Sequence, residues 1–339
     1  AVSHQGLDPP RSPAESMSAT SAFAYMAGSD TASTDNPPHW QRRLLLGGAA
    51  VLVTLLVVSL IGYLAVRVQD PGVPTPTPPV VPPPVVPAAK EPPPLDETNA
   101  KEVQAAWAAK LKVPIEEKSP TGIVMTLIPP GEMVKYPYRL GKYEVTQEEW
   151  TNVMGYNPST FKGPNLPVEQ VNWYDCVEFC NKLSAREGLK PYYALEVKNR
   201  NAAFFIEEAE VKILGGTGYH LPTDAEWEHG CRAGTKTKYC FGNDDAQLAE
   251  YAWYSQNSGN KSHPVGELKP NGFGLYDIHG NVREWNEEML KNATTGAPER
   301  VHRGGSWSNA ASNCAVSHRP RNGPATRTNS IGLRLARVP

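Results

Sequence analysis

An unbroken apolar run, LLLGGAAVLVTLLVVSLIGYLAV from Leu44 to Val66, constrains this chain more than any other feature. Its 23 residues carry no charge. At ~1.5 Å per helical residue the run exceeds the roughly 30 Å hydrocarbon core of a bilayer. A cleaved leader would show an apolar stretch of only about 7–15 residues close to the N-terminus. The run therefore predicts a transmembrane helix over 44–66. Arg42 and Arg43 flank its N-terminal side against Arg67 on the other. That bias predicts a cytoplasmic N-terminus and an extracytoplasmic C-terminal region, periplasmic or at the cell surface. Trp40 and Tyr63 suit the two interfacial levels, where an aromatic ring is half wet.

The segments around the run cannot build a core. Residues 1–40 are rich in Ser, Ala, Thr, Pro and Asp without an apolar period, which predicts a disordered arm. Pro71 to Pro94 holds 12 prolines in 24 residues. Proline fixes φ and removes the amide donor, so the segment predicts a polyproline II stalk over 70–98, roughly 75 Å long at ~3.1 Å per residue. What remains is enough for one sizeable core. The net charge of −2 gives no reason to expect a nucleic-acid partner. Five cysteines, odd in number and sparse, do not resemble the framework of a disulfide-stapled module.

Globular character is expected from Lys101. A lead-in helix is predicted over 101–118, with Val103, Trp107 and Leu111 on one face. IVMTLI (123–128) and KYPYRLGKYEV (135–145) read as strands separated by Pro129, Pro130 and Gly131. Three helices carry start signals: Thr146 with Glu149, Asn172, and Thr223 with Glu226; the last two are stopped by Gly188 and Gly234. After Gly242 the chain is mostly Gly, Asn, Ser and Pro between short apolar pieces, implying loops pinned onto a small sheet. The fold class predicted is an irregular, loop-rich α+β domain.

Seven blocks then occur in one order: LIPPGE (127–132), GKYEVTQEEW (141–150), PVEQVNWYDCVEFCNKLS (167–184), LPTDAEWEHGCRAGT (221–235), PVGELKPNGFGLYDIHGNVREW (264–285), RGGSW (303–307) and IGLRLA (331–336). In this combination residues 120–337 resemble the formylglycine-generating enzyme, or sulfatase-modifying factor, family. The resemblance implies a C-type-lectin-like fold. It also implies calcium at Asp277, Gly280, Val282 and Glu284, two carboxylates and two main-chain carbonyls of the kind Ca²⁺ takes. A second family calcium site does not carry over, because residues 257–262 lack matching carboxylates.

Active members of that family oxidise a substrate cysteine to formylglycine with O₂ and a copper(I) ion held by a pair of cysteines. On this chain the second cysteine is Cys314 and the first position is Asn309. An amide oxygen is a poor copper(I) ligand, so the dithiolate is incomplete. The family's active-site tryptophan falls on Arg283, and the partners of its two disulfides on Arg319 and Leu335, leaving Cys180 and Cys231 without mates. Cys176 and Cys180, one helical turn apart, read as core hydrophobes; Cys231 and Cys240 could bridge only if the turn between them closes.

Seven arginines (300, 303, 319, 321, 327, 334, 337) crowd the last 40 residues without an acidic one. Most are expected to pair with blocks such as Glu144, Asp224 and Glu284. Arg319, Arg321 and the adjoining His318 are kept with Arg283 and Ser306 as candidates for binding an anionic ligand. No His spacing of the HExxH kind, Ser-His-Asp pattern or phosphate loop occurs. The histidine-rich iron chemistry found on similar domains needs an extra helical domain, for which this chain has no room.

Two functions follow as expectations. The leading one is a non-catalytic extracytoplasmic module that binds a peptide, glycan or wall ligand, or acts as a sensor. The rival is a formylglycine-generating oxidase with altered copper ligands. The chain opens on Ala1 rather than methionine. Similar bacterial domains follow a membrane helix and a serine/threonine kinase, so the resemblance also implies an upstream kinase domain in a longer chain.

Overall fold

The computed structural model describes residues 91–339. The arm over 1–40, the transmembrane helix over 44–66 and the stalk as far as residue 90 lie outside the described residues. Among the described residues no helix is long and apolar enough to cross a membrane.

Order begins earlier than the composition suggests. Leu95 packs on the core, and the Asp96 side chain accepts from the Thr98 amide at 2.8 Å to close a small turn. The turn lies hard against Gly234, where an added Cβ would stand 2.1 Å from the Asp96 carbonyl oxygen, so only glycine admits it. The lead-in helix α1 runs Ala100–Leu111, ends with Lys112 in the left-handed region, and does not continue to 118. Pro114 has no amide to extend it, and the chain turns into strand β1, Glu116–Lys118. Its buried stripe is Ala100, Val103, Gln104 and Ala108, with Trp107 and Leu111 only half-buried. Gln104 donates to the Leu127 and Phe273 carbonyls at 2.8 and 3.1 Å, which ties α1 to the strand that carries Leu127.

Strands β2 (Val124–Ile128) and β3 (Tyr138–Gly141) form the expected antiparallel pair, Met125 opposite Gly141. β1 joins one edge, and β10 (Ala336–Arg337) closes the other, so the C-terminus seals the sheet that the domain begins with. The three capped helices are α2 (Gln147–Met154), α3 (Trp173–Arg186) and α4 (Asp224–Arg232). Each has a reciprocal capping box, through Thr146 and Glu149, Asn172 and Asp175, and Thr223 and Glu226. Together α2 and α3 bury Trp150, Val177, Phe179, Cys180 and Leu183, with the Trp150 and Phe179 rings stacked at 5.0 Å. Each such side chain contributes ~1.5–3 kcal/mol by leaving water. Cys176 and Cys180 sit inside this core as small hydrophobes.

Two further sheets complete the domain. β4 (Tyr193–Arg200) and β5 (Ile206–Ile213) form a two-stranded ribbon. β6 (Arg283–Lys291) and β7 (Pro298–Arg303) are the centre of a four-stranded sheet, with β8 (Arg321–Asn322) beside β7 and β9 (Ile331–Gly332) parallel to β6. The long stretch 251–282 between α4 and β6 has neither helix nor strand. It is nonetheless packed, with Phe273, Leu275 and Ile278 buried under α4 beside Trp227. The result is a mixed α and β domain rich in loops.

Candidate functional site

The turn that follows β7 is the most constrained backbone near the predicted site. Gly304 and Gly305 both have positive φ, +97° and +83°. A Cβ on Gly305 would lie 2.7 Å from the Cys314 Sγ and 3.1 Å from the His279 carbonyl oxygen, so the turn and the thiol can share this space only with glycine. Trp307 latches the turn: its amide donates to the Asn281 carbonyl at 2.8 Å and its ring Nε1 to the Asn329 carbonyl at 2.9 Å. A short 3₁₀ turn, Ala311–Cys314, then brings Cys314 back under Gly305.

Four of the predicted residues meet here. The Asn309 Oδ1 accepts from the Arg283 Nε at 3.0 Å and from the Ser306 Oγ at 2.9 Å. Ser306 is fully buried and Asn309 nearly so, whereas Arg283, at the start of β6, is half-buried. The Cys314 thiol is also fully buried, 3.7 Å from the Ala310 carbonyl. Burial pushes its pKa up to about 12, against the opposing pull of the Arg283 guanidinium. A copper(I) site needs two soft thiolates. Here one position is an amide whose oxygen already serves two donors, and the other is a protonated thiol. These residues do not fit copper(I).

His279 lies behind the thiol and is equally committed. Its Nδ1 hydrogen bonds to the Cys314 carbonyl at 2.9 Å and its Nε2 accepts from the Cys240 amide at 3.0 Å. Burial lowers its pKa to about 4, which keeps the ring neutral. Cys231 Sγ stands 3.8 Å from the same Nε2, yet Cys231 and Cys240 are both free thiols.

Most of the C-terminal arginines pair with acidic residues, as the charge pattern predicts. Arg334 pairs with Glu284, Arg303 with Asp224 and Glu228, Arg327 with Asp175, and Arg337 with Glu117. Glu144 is not an arginine partner; its carboxylate accepts from Asn281 Nδ2 and the Val282 amide at 2.7 and 2.9 Å. Arg319 and Arg321, expected to be open to an anion, are also taken: Arg319 by Asp224 at 2.6 Å and Arg321 by Glu299 at 2.9 Å. His318 lies near Arg283 and Arg303, and burial lowers its pKa. An anion pocket uniting Arg319, Arg321 and Arg283 is therefore not assembled. The residue that sequence reasoning missed is Glu228. It stands one turn after Asp224 on α4, and that i, i+4 pair of acids is the signal that a buried cation, Arg303, packs across it.

Of the predicted calcium residues, Glu284 lies in β6, and Asp277, Gly280 and Val282 lie in the loop that leads into it. Glu284 is fully buried, and its two oxygens take hydrogen bonds from Arg334 and from Trp227 Nε1. Asp277 adopts a left-handed backbone, φ +59°, and one oxygen accepts from the Gly266 amide at 2.7 Å while the other has no partner. Burial pushes the Asp277 pKa up to about 6. Ca²⁺ takes six to eight oxygens. With Glu284 already satisfied by a guanidinium, the four residues as arranged do not fit that cage. Among the described residues no three His, Cys, Asp or Glu side chains gather in a metal-holding group.

Comparison with known proteins gives a consistent assignment. The family described as "Sulfatase-modifying factor enzyme 1-like domain" matches residues 113–339. The chaperone protein LppX of Paenibacillus barcinonensis is 38% identical, over 53% of this chain and 73% of that one. The formylglycine-generating enzyme of Mus musculus is 27% identical, over 55% of this chain and 48% of its own length, so the chain spans about half of that enzyme. Among solved structures, Treponema denticola variable protein 1 superposes with a TM-score of 0.57 at 35% identity, covering 67% of this chain and 100% of that one.

Proposed function

Because this chain belongs to the sulfatase-modifying factor enzyme 1-like family, which leaves the chemistry to be decided by the site, we propose that it is a non-catalytic binding or sensory member. The observation that carries the reading is the double hydrogen bond onto Asn309 Oδ1 from Arg283 and Ser306. At the position where the resemblance puts the family's first copper ligand, this oxygen already accepts two hydrogen bonds, as many as an amide oxygen has lone pairs, and has none left for a metal. Cys314, left alone and protonated, is then a packing residue under Gly305.

The apolar run 44–66 and the proline stalk complete the proposal. They hold the domain outside the membrane, at a reach suited to meeting a peptide, glycan or wall ligand. An anaerobic titration against a chromogenic copper(I) chelator tests the non-catalytic reading. The full chain is expected to leave copper with the chelator. Stoichiometric uptake that disappears in Cys314→Ala would sink the reading.

A further inference from the structure

Of the seven C-terminal arginines, Arg300 alone joins no ion pair among the described residues. Its guanidinium lies over the Trp173 ring, 3.5 Å from the centroid, and donates to the Glu287 carbonyl at 2.6 Å. The Nε is buried without a partner. Arg300 forms part of the wall of a cavity of about 320 Å³, floored by Trp173 and Tyr193. Val211, Ile213 and Met289 supply the apolar side, and Ile213 and Met289 are 58% and 55% exposed, although both are large hydrophobics. Such exposure of apolar side chains at a concave mouth marks a binding surface more often than chance.

Two carboxylates, Glu287 and Glu288, face the same cavity. In a regular strand, neighbouring residues point to opposite faces. Here the β6–β7 ladder slips: from Trp285 opposite His302 to Met289 opposite Arg300, β6 advances four residues and β7 two. That bulge breaks the alternation, so two successive residues, Glu287 and Glu288, both border the cavity. Glu287 accepts from Tyr193 Oη at 3.1 Å and Glu288 from the Asp224 amide at 2.6 Å. Neither carboxylate joins an ion pair among the described residues, with Arg300 or any other cation. Burial raises the pKa of Glu287, pushes that of Glu288 up to about 7 and lowers that of Arg300. All three charges are thus under-compensated in the molecule by itself.

We propose that this cavity binds a small amino-acid-type zwitterion with an apolar side chain, its ammonium received by Glu287 and Glu288 and its carboxylate by Arg300. Charges of both signs held apart in one apolar pocket match such a guest better than a simple cation or anion. Against a lone cation Arg300 would be repulsive, and against a lone anion the two glutamates would be. The volume lies at the lower end of the ligand-pocket range, suited to one residue rather than a long chain. The site is built on different residues from the Cys314 turn and holds whether or not that thiol has chemistry.

Calorimetric titration of the purified full chain with leucine, methionine and phenylalanine tests this, alongside leucinamide, which lacks the carboxylate, and 4-methylpentanoate, which lacks the amine. At least one of the three amino acids is expected to bind. For leucine, removing either ligand charge should weaken binding roughly tenfold to a hundredfold, the scale of a charge-assisted hydrogen bond. E287Q/E288Q should show the same loss while keeping the wild-type thermal midpoint within a few degrees. Should that variant fail to fold, the analogue series reads the same contacts on the unaltered protein. If no amino acid binds at millimolar concentration, if either analogue binds as well as leucine, or if E287Q/E288Q binds unchanged, the assignment is overturned.

Discussion

Replacing Arg334 by Met offers a quantitative test of the electrostatics around β6. Arg334 and Glu284 are both 0% exposed, and the guanidinium donates to both Glu284 oxygens, to the Gly141 carbonyl at 2.8 Å and to the Tyr276 carbonyl at 2.7 Å. Arg334→Met strands a buried carboxylate, which costs about 3–5 kcal/mol. Two main-chain carbonyls lose a donor as well, at ~1 kcal/mol each. The summed loss of about 5–7 kcal/mol should lower the thermal midpoint by roughly 10–30 °C for a domain of this size. Scanning calorimetry of the wild type, R334M, E284Q and R334M/E284Q reads it. The double variant should recover about 2–3 kcal/mol relative to the sum of the singles, because it removes both charges at once. A cost for R334M below ~1 kcal/mol, or strict additivity in the double variant, would show that the two side chains do not depend on each other for charge compensation.

Other sites give further expectations. The folded pKa of Asp277, about 6, lies above its ordinary value of 3.8, so its contribution is present at low pH and lost as pH rises from about 4 to 6. Asp277→Asn, which suits the left-handed backbone, should therefore match the wild type near pH 4 and exceed it by about 2–3 kcal/mol at pH 7; a loss at pH 7 in denaturant titrations would point to a cation held by Asp277. Gly305→Ala should cost more than ~2 kcal/mol, because the left-handed φ and the contact with Cys314 both oppose a methyl group; an unchanged urea midpoint would contradict the packing described. The thiols of Cys240 and Cys314, with pKa values near 12, should stay silent to an aromatic disulfide reagent at pH 8 in the native protein and titrate fully in guanidinium. A fast native thiol would show that one of these pockets opens.

Legibility in the sequence follows the range of the interactions. The three capping boxes involve residues three apart, and all three helices begin where those signals place them. The β2–β3 pair was readable because Pro129, Pro130 and Gly131 interrupt two apolar runs. The β4–β5 ribbon is harder to read: β4 alternates Leu195 and Val197 with Glu196, Lys198 and Arg200, but β5 is exposed along most of its length and carries charge on both faces. The expected lead-in helix over 101–118 overruns the observed one because Pro114, with no amide to continue it, is a local stop. At the site, the block order brought Asn309, Cys314, Ser306 and Arg283 to notice. Which arginines are spoken for was not readable, because Arg319 to Asp224 and Arg321 to Glu299 are tertiary pairings. Nor does the sequence announce the slip in β6 around Glu287 and Glu288.

The family relationship makes the missing thiolate the decisive point, because relatives include an enzyme named for generating formylglycine. Incubating the full chain with copper(I), O₂ and a sulfatase-type peptide containing one cysteine, and following the peptide by mass spectrometry, tests it most directly. The peptide thiol is expected to stay intact, or to be lost only at the rate seen with free copper. Turnover to the aldehyde that depends on the protein and vanishes in Cys314→Ala would contradict that expectation.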